Sequence, residues 1–382
     1  MPAKVRVYDA TEGMISMCSM SRRNFIKMAG LAAAAAAVPA LEGIKAASAE
    51  QQASAVPGTD GDKYVSYKNR QGGESVVYFT RDLSAAGLMK LYDKISANFT
   101  GKVGIKLHTG EPEGPNIIPR PWVKELMQKK LPNATVVETN TYYDYGRYTT
   151  ENHRKTLETN GWTAFTTVDI LDEEGTVMLP VKGGKWFTEM AVGGHLTNYD
   201  SLFVLTHFKG HTMGGFGGSN KNIGIGCADG RIGKKMIHTG DTGSQWGIDK
   251  EEFMERMTES TKAVVDYFGD KISFINVLRN MSVDCDCAGT GAAVPTTPNI
   301  GILASTDILA IDQASVDLVY ALPEKDRHDL QERMESRHGL RQLSYMKELG
   351  MGNSRYVLLD ADNGNVPIKL EDAVKGVKPF KA

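Results

Sequence analysis

The chain has 382 residues, and its 44 Lys and Arg residues against 46 Asp and Glu residues give a net charge of -2. Binding to nucleic acid phosphates needs a basic surface, so this charge balance excludes nucleic acid as a partner. With 41% hydrophobic residues, the chain can bury a core, which excludes intrinsic disorder. The 40 glycines favour an α/β fold, in which tight turns join strands to helices.

The amino terminus has the pattern of a twin-arginine export signal. Residues 21–27 read SRRNFIK, and an alanine-rich apolar run follows at 28–40. That run is too short for a membrane span, which needs about 20 apolar residues. The small residues at 47–49 predict cleavage after Ala49, with Ala40 as an alternative. We therefore expect a signal peptide at 1–49, the twin-arginine translocase as a partner during export, and a periplasmic or extracytoplasmic mature protein without a stable membrane span.

After a polar segment at 50–74, typical of a flexible linker, strand and helix patterns alternate along the chain. Strands are predicted at 75–79, 102–107, 134–138, 201–206, 271–278, 299–303 and 355–359, and helices at 84–99, 121–130, 250–267, 310–320 and 334–349. Asp307 is the predicted N-cap of the helix at 310–320. This alternation predicts an α/β domain over 75–382, built as one unit or two lobes, with mixed, mainly parallel sheets and helices on both faces. Ligands of such folds bind beyond the carboxyl ends of the strands.

The strand at 201–206 leads into the most unusual local composition of the chain. Residues 213–226 read MGGFGGSNKNIGIG, which matches neither of the common nucleotide-binding glycine motifs. Glycines allow close backbone approach, so this loop is a candidate cradle for an anion or cofactor. The predicted cofactor-binding residues of this loop are Gly214, Gly215, Gly217, Gly218 and Lys221. The alternative is a turn that only lets two elements pack.

The cysteines point to a metal site or to one disulfide. Cys18 leaves with the signal, so Cys227, Cys285 and Cys287 remain. An odd number cannot pair completely, and a disulfide within the C-x-C sequence is strained. A disulfide between Cys227 and either Cys285 or Cys287 stays possible at this stage.

Metal ligation by thiolates is the competing interpretation. The candidate ligands are Cys227, Cys285, Cys287, His207, His211 and His238, a set that suits zinc, iron or an iron–sulfur cluster. Their spacing matches no common zinc module. Cys227 is equally well interpreted as a small buried hydrophobe, and each histidine as an ordinary polar residue.

Basic side chains follow several of the predicted strands. Those expected to converge are Lys106, His108, Arg120, Arg147, His153, Lys209 and Lys221, which together suit a small anionic ligand. Within this set we predict that Lys106 and Arg147 bind the cofactor or ligand and that His108, Lys209 and Lys221 are catalytic. The alternative is a solvated surface.

Several strings carry a family resemblance. KVGIKLHTGE from Lys102, THFKGHTMGGFGGSNKNIGIGCA from Thr206 and DCDC from Asp284 resemble the family known as domain of unknown function 362, as do the segments from Asn299, Ala310 and Glu335. The resemblance covers about residues 75–360. Many members resemble iron–sulfur proteins with an inserted ferredoxin module of C-x-x-C repeats. This chain has no C-x-x-C, so two ferredoxin clusters are excluded. The glycine-rich loop is also similar, over about fifteen residues, to that of nickel-pincer lactate racemases.

The sequence therefore predicts an exported protein that binds a metal ion or an iron–sulfur cluster and acts as a redox or isomerising enzyme on a small anionic ligand. The alternative is a non-catalytic carrier that delivers a cofactor or metal to a partner protein. A third hypothesis is a redox-inert binding protein with a Cys227 disulfide.

Overall fold

The computed structural model describes Tyr64 and residues 72–240, 243–244 and 246–380, all within one compact unit. The predicted signal peptide lies outside the described residues, and so does most of the predicted linker. Within that linker, the Tyr64 hydroxyl donates a hydrogen bond to the Ile368 carbonyl at 2.6 Å, and the ring packs against Tyr356. Tyr64 is therefore in contact with the folded domain, while the boundaries at 49 and 74 remain predictions.

The domain is built from thirteen strands and ten α-helices over the described residues. The strands are β1 (Ser75–Thr80), β2 (Val103–Lys106), β3 (Thr135–Glu138), β4 (Val168–Ile170), β5 (Thr176–Pro180), β6 (Glu189–Gly193), β7 (Ser201–His207), β8 (Lys209–His211), β9 (Gly215–Gly217), β10 (Ile272–Leu278), β11 (Gly301–Ser305), β12 (Tyr356–Asp360) and β13 (Val366–Pro367). The helices are α1 (Ala85–Ile95), α2 (Arg120–Lys130), α3 (Thr150–Thr159), α4 (Ser219–Gly226), α5 (Gly233–Thr239), α6 (Lys250–Phe268), α7 (Ile308–Tyr320), α8 (Glu324–Ser336), α9 (Arg341–Glu348) and α10 (Leu370–Ala373).

Nine strands form one sheet in the order β13-β12-β1-β11-β10-β7-β2-β3-β4. The pairs β10·β7, β7·β2, β2·β3, β3·β4 and β1·β12 are parallel, whereas β11 runs antiparallel to both of its neighbours. The hairpins β5·β6 and β8·β9 form two small separate sheets. The predicted mixed, mainly parallel α/β architecture is confirmed.

Helices cover both faces of the large sheet because the central strands are apolar on both sides. In β7, Leu202 and Val204 belong to one apolar cluster and Phe203 and Leu205 to the other, as the two-residue period of a strand requires. Helices α1 and α2 contribute to the second cluster, and α6 and α7 to the first. The continuous apolar run SLFVL is thus the signature of a strand buried on both faces.

The strand order reverses between β2 and β7. From β2 the chain continues outward through β3 to β4, whereas from β7 it continues to β10 on the other side. In open α/β sheets such a reversal leaves a crevice beyond the carboxyl ends of the strands. The loops that follow β2 and β7 both begin at this crevice.

Two predicted elements differ from the structure. The predicted helix at 334–349 is two helices, α8 and α9, separated at His338 and Gly339. His338 has a φ of 57°, and a side chain on Gly339 would lie 3.0 Å from the Cα of Gly215. The predicted glycine-rich loop also ends earlier than expected, because residues from Ser219 form helix α4.

Asp307 is confirmed as the N-cap of α7, and it also connects two distant segments. Its carboxylate accepts hydrogen bonds from the Ala310 amide, the Ser75 hydroxyl and the Asn353 amide at 2.9, 2.6 and 2.8 Å.

We expect Asp307→Ala to lower the free energy of unfolding by about 2 kcal/mol, because one cap and two further hydrogen bonds are lost. Urea unfolding measures this value. Glu332→Ala, on the exposed side of α8, is the control; an equal loss in both variants would contradict the assignment.

Candidate functional site

The candidate site lies beyond the carboxyl ends of four neighbouring parallel strands. The loop after β2 carries His108 and Glu111, and the loop after β3 carries Arg147. The β8 hairpin after β7 carries Lys209 and His211, and helix α4 carries Lys221. The loop after β10 carries Cys285, Asp286 and Cys287. The predicted convergence of strand-end loops is therefore observed.

Cys285, Cys287 and His211 form the group in the described residues that best fits a metal ion. One potential ligand atom from each lies within 4.8 Å of the other two. Cys285 is 1% exposed and His211 is 8% exposed, while Cys287 is half-buried. A second group, Asp169, Glu173 and His195, is close enough as well, but both nitrogens of His195 already face carboxylates. The C-x-C sequence thus places two sulfurs beside one imidazole.

Hydrogen-bond donors surround the Cys285 sulfur. The Lys221 ammonium lies 3.4 Å from it, and His108 and His211 also interact with it. The hydrogen bond from the Cys287 thiol holds the pKa of Cys285 well below its ordinary value, and Lys221 and Lys209 lower it further, against the opposing effect of burial. The same contact raises the pKa of Cys287. Cys285 is therefore the more acidic thiol of the pair.

The Nδ1 atom of His211 is already a hydrogen-bond acceptor. It receives the amide of Gly214 at 2.7 Å and that of Met213 at 3.3 Å. In the neutral ring, the hydrogen is therefore on Nε2. Burial and then Lys221 lower the pKa of His211, which keeps the ring neutral. For His211 to bind a metal through Nε2, the proton must move to Nδ1, and the Gly214 hydrogen bond is lost.

The other two predicted histidine ligands lie outside this group. His207 directs Nδ1 at Asp286 and Nε2 at the Arg279 carbonyl, at 2.9 and 2.6 Å, so both of its nitrogens face oxygens within the chain. His238 donates from Nδ1 to the Lys234 carbonyl at 2.7 Å, so its Nε2 has a free lone pair. Burial lowers the pKa of His238 to about 3.

Cys227 also lies apart from the other two cysteines. It is 0% exposed within an apolar cluster, and burial raises the pKa of its thiol to about 11. All three cysteines are free, so the alternative disulfide of Cys227 with Cys285 or Cys287 is not formed. The packing of Cys227 fits a small buried hydrophobe.

Arg147 joins two buried carboxylates at the base of the site. Its Nε donates to Glu111 at 2.9 Å, and its Nη1 donates to Glu138 at 2.9 Å. All three residues are at most 3% exposed. Burial would raise the pKa of Glu138, but Arg147 and then Lys106 hold it well below its ordinary value. Tyr143 donates a further hydrogen bond to Glu111 at 2.6 Å.

Most of the remaining predicted basic residues are buried and have partners within the chain, whereas Arg120 lies at the surface. Lys209 pairs with Asp286 at 3.1 Å, and Lys106 donates to the Leu107 carbonyl at 2.9 Å. Burial lowers the pKa of Lys106, which is 1% exposed. His108 accepts the Gly110 amide at Nδ1, and its pKa is lowered by burial and then by Arg147. Arg120 is exposed, and His153 is buried beside Glu138.

Close packing within the chain accounts for three of the four predicted cofactor-binding glycines. A side chain on Gly215 would lie 2.8 Å from the Cα of Gly339, one on Gly218 2.5 Å from the Asp312 carboxylate, and one on Gly214 3.1 Å from His211. Gly217 faces the side chains of Lys209 and Lys221. These glycines therefore let the hairpin and the start of α4 pack closely against neighbouring residues. The role of the glycines in binding a cofactor remains a prediction.

The acidic residues of the site were not among those predicted from the sequence. Glu138 is the last residue of β3, Asp286 lies inside the DCDC string, and Glu111 lies in the loop after β2. A carboxylate at the end of a buried strand needs a cationic partner, because an unpaired buried charge is strongly unfavourable. The segment ATVVE at 134–138 has this pattern, because an acidic residue ends an apolar run.

Replacing Arg147 by Met should destabilise the fold by about 3–5 kcal/mol at neutral pH, because two buried carboxylates lose their partner. Since the pKa of Glu138 is depressed, its stabilising effect is complete above its ordinary pKa of 4.5 and falls as the pH drops through the folded-state pKa. The difference between wild type and variant should therefore shrink in acid. Urea unfolding of wild type and variant at neutral pH and near pH 4 measures this difference in unfolding free energy. The control is Arg154→Met, in the more exposed Arg154–Glu173 pair. A pH-independent difference would contradict the pairing.

Replacing Lys221 by Met should raise the pKa of Cys285 in metal-free protein, because the ammonium at 3.4 Å stabilises the thiolate. Ultraviolet thiolate absorbance against pH measures this change, and Cys285→Ser identifies the signal. Lys235→Met, at an exposed position of α5, should leave the titration unchanged. Equal curves for Lys221→Met and wild type would refute the contact.

Comparison with known proteins gives the family and the route of export. A twin-arginine translocation signal matches residues 19–39, so the chain is exported across the cytoplasmic membrane. No helix in the described part of the chain is long and apolar enough to span a membrane. No curated protein matches the chain.

Two solved structures show distant similarity. The lactate racemase apoprotein from Thermoanaerobacterium thermosaccharolyticum aligns with 63% of this chain and 56% of its own, at 12% identity and a TM-score of 0.36. A structural genomics target from Thermotoga maritima aligns with 66% of this chain and 58% of its own, at 11% identity and a TM-score of 0.36. The chain thus spans less than two thirds of either protein, and this similarity is too low to transfer a function.

The family match covers every residue of the candidate site. The profile described as "Domain of unknown function (DUF362)" matches residues 103–317, more than half of the chain, from β2 to α7. This stretch includes His108, Arg147, His211, Lys221 and Cys285. The chain therefore belongs to the family of domain of unknown function 362.

Proposed function

We propose that this exported protein is a metal-dependent redox or isomerising enzyme that acts on a small anionic ligand. Cys285, Cys287 and His211 would hold one metal ion. The observation that carries this proposal is the convergence of their ligand atoms within 4.8 Å, at the strand ends where α/β folds bind ligands.

The donor set fits a single ion better than a ferredoxin-type cluster. A ferredoxin cluster takes four thiolates, whereas the described residues supply two sulfurs here and keep Cys227 in the apolar core. Two thiolates and one imidazole suit zinc or iron, and three protein ligands leave one position open for a ligand or water. When bound, such an ion supplies Lewis-acid chemistry or, if it is iron, electron transfer.

The charge balance supports an anionic ligand. Of the four buried cationic side chains Lys106, Arg147, Lys209 and Lys221, the first two pair with Glu138, Arg147 also pairs with Glu111, and Lys209 pairs with Asp286. Lys221 instead contacts a sulfur, that of Cys285. If two thiolates bind a metal ion, Lys221 is the cation left to bind an anion of the ligand.

His108 is the best candidate for moving a proton. Its pKa is lowered by burial and by Arg147, so the ring is neutral near pH 7. Nδ1 accepts the Gly110 amide, and Nε2 lies 3.3 Å from Nη2 of Arg147, which can only donate. A neutral imidazole at this position can take a proton from a bound ligand and return it.

Burial of the ligands favours an enzyme over a carrier. A carrier must release its metal to a partner, which needs ligands at an accessible surface. Cys285 and His211 are almost fully buried, and the half-buried Cys287 is the most exposed of the three. An ion held there would be resident rather than exchangeable.

A second candidate function has its own observation. The Lys221 ammonium at 3.4 Å and the occupied Nδ1 of His211 favour a Cys285 thiolate stabilised by hydrogen bonds. In that case, the protein would be a cysteine-dependent enzyme without a metal at this position. Metal content decides between the two functions.

The test is elemental analysis of protein purified anaerobically after export. We expect about one zinc or iron per chain in wild type, because a buried site with three ligands binds tightly. Cys285→Ser and Cys287→Ser should each lose most of the metal, and His211→Asn should lose part of it. Cys227→Ser should retain it, since Cys227 lies in the apolar core.

Wild-type protein that folds without stoichiometric metal would refute the metal-dependent function and favour the cysteine-dependent one. Retention of metal in Cys285→Ser together with Cys287→Ser would show that the metal binds elsewhere. Circular dichroism on every variant separates loss of metal from loss of fold.

A further inference from the structure

We propose that Cys285 and Cys287 form a disulfide with each other when no metal ion is bound between them. The pair is then a dithiol–disulfide site, and a metal ion at the same sulfurs keeps it reduced. Disulfide formation itself does not depend on the proposed function, whereas protection by the metal rests on it.

The geometry limits the choice of partner for each sulfur. The two sulfurs lie within 4.8 Å of each other, and a single residue separates them in the chain. Cys227 is fully buried in an apolar cluster and belongs to no such group. Among the described cysteines, Cys285 and Cys287 are therefore the pair that can react together without rearrangement of the core.

The order of the two steps follows from exposure. Cys287 is half-buried, so a small reagent in solution can reach it, whereas Cys285 is 1% exposed. Although Cys285 is the more acidic thiol, an external oxidant reaches Cys287 first because of its exposure, and Cys285 reacts second from inside the protein. The short approach between the two sulfurs makes the second step intramolecular.

The chemistry balances with a small organic disulfide as the oxidant. The Cys287 thiol first loses its proton to solvent, and its thiolate attacks one sulfur of the reagent, whose S–S bond breaks to release one thiolate. The Cys285 thiolate then attacks the Cys287 sulfur of the mixed disulfide and releases the second thiolate. The protein loses two electrons and the reagent gains them, while both released thiolates take up protons from solvent.

The destination of the chain makes this reaction relevant. The export signal directs the protein out of the cytoplasm, and extracytoplasmic compartments of bacteria are oxidising. A disulfide closed over one intervening residue is strained, and strained disulfides are the ones most easily reduced again. We therefore expect the disulfide between Cys285 and Cys287 to form and to be reduced again reversibly.

The test uses the whole chain, purified under reducing conditions and treated with a chelator. The protein is incubated with excess oxidised glutathione, with or without Zn²⁺, then acid-quenched, alkylated and mapped by peptide mass spectrometry. Without zinc we expect a peptide in which Cys285 and Cys287 are linked to each other. With zinc at ten times its Kd, we expect the link to form about tenfold more slowly.

Controls separate this inference from the proposed function. Cys227→Ser should form the same link at the same rate, and Cys287→Ser should form none. A wild-type protein that gives no link between Cys285 and Cys287, or links either of them to Cys227, would overturn the inference. A link that forms equally fast with and without zinc would support the dithiol site, remove the protective role and contradict the proposed metal site.

Discussion

Arg147 lies between two buried carboxylates, Glu111 and Glu138, and the other charges at the strand ends are arranged around this pairing. An unpaired charge in a site that is at most 3% exposed is strongly unfavourable, so each carboxylate must have a cation. The Arg147 guanidinium serves both, since it donates to Glu111 from one edge and to Glu138 from another. The pairing connects the loops after β2 and β3, and this fixes one wall of the crevice.

The opposite wall is built from the glycine-rich hairpin and the cysteine loop. The hairpin packs closely against its neighbours, with Gly215 beside Gly339 and Gly218 beside Asp312. This packing places Lys221 within contact of Cys285. Asp286 anchors the cysteine loop to His207 and Lys209. The two walls therefore bring the acidic thiol of Cys285, a second thiol and a neutral histidine together beside Lys221, which contacts the Cys285 sulfur. That combination suits a metal ion with an anionic ligand.

Much of the fold could be predicted from the sequence, because strands buried on both faces leave long apolar runs such as SLFVL, and Asp307 marks a helix start. The break at Gly339 could not, since it depends on contact with Gly215, more than a hundred residues earlier. For the site, residue type identified Cys285, Cys287 and His211. It could not separate them from Cys227, His207 and His238, because sequence spacing does not fix which histidine lies beside the sulfurs or which cysteine packs into the core.

X-ray absorption spectroscopy at the metal edge, on protein purified anaerobically after export, tests the central claim most directly. The account predicts two sulfur ligands at about 2.3 Å and at least one imidazole nitrogen at about 2.0–2.1 Å from a zinc ion. The Cys285→Ser variant, if it retains metal, should show one sulfur fewer. A shell of oxygen and nitrogen alone, unchanged in this variant, would mean that the metal is not bound by Cys285 and Cys287 and would contradict the account.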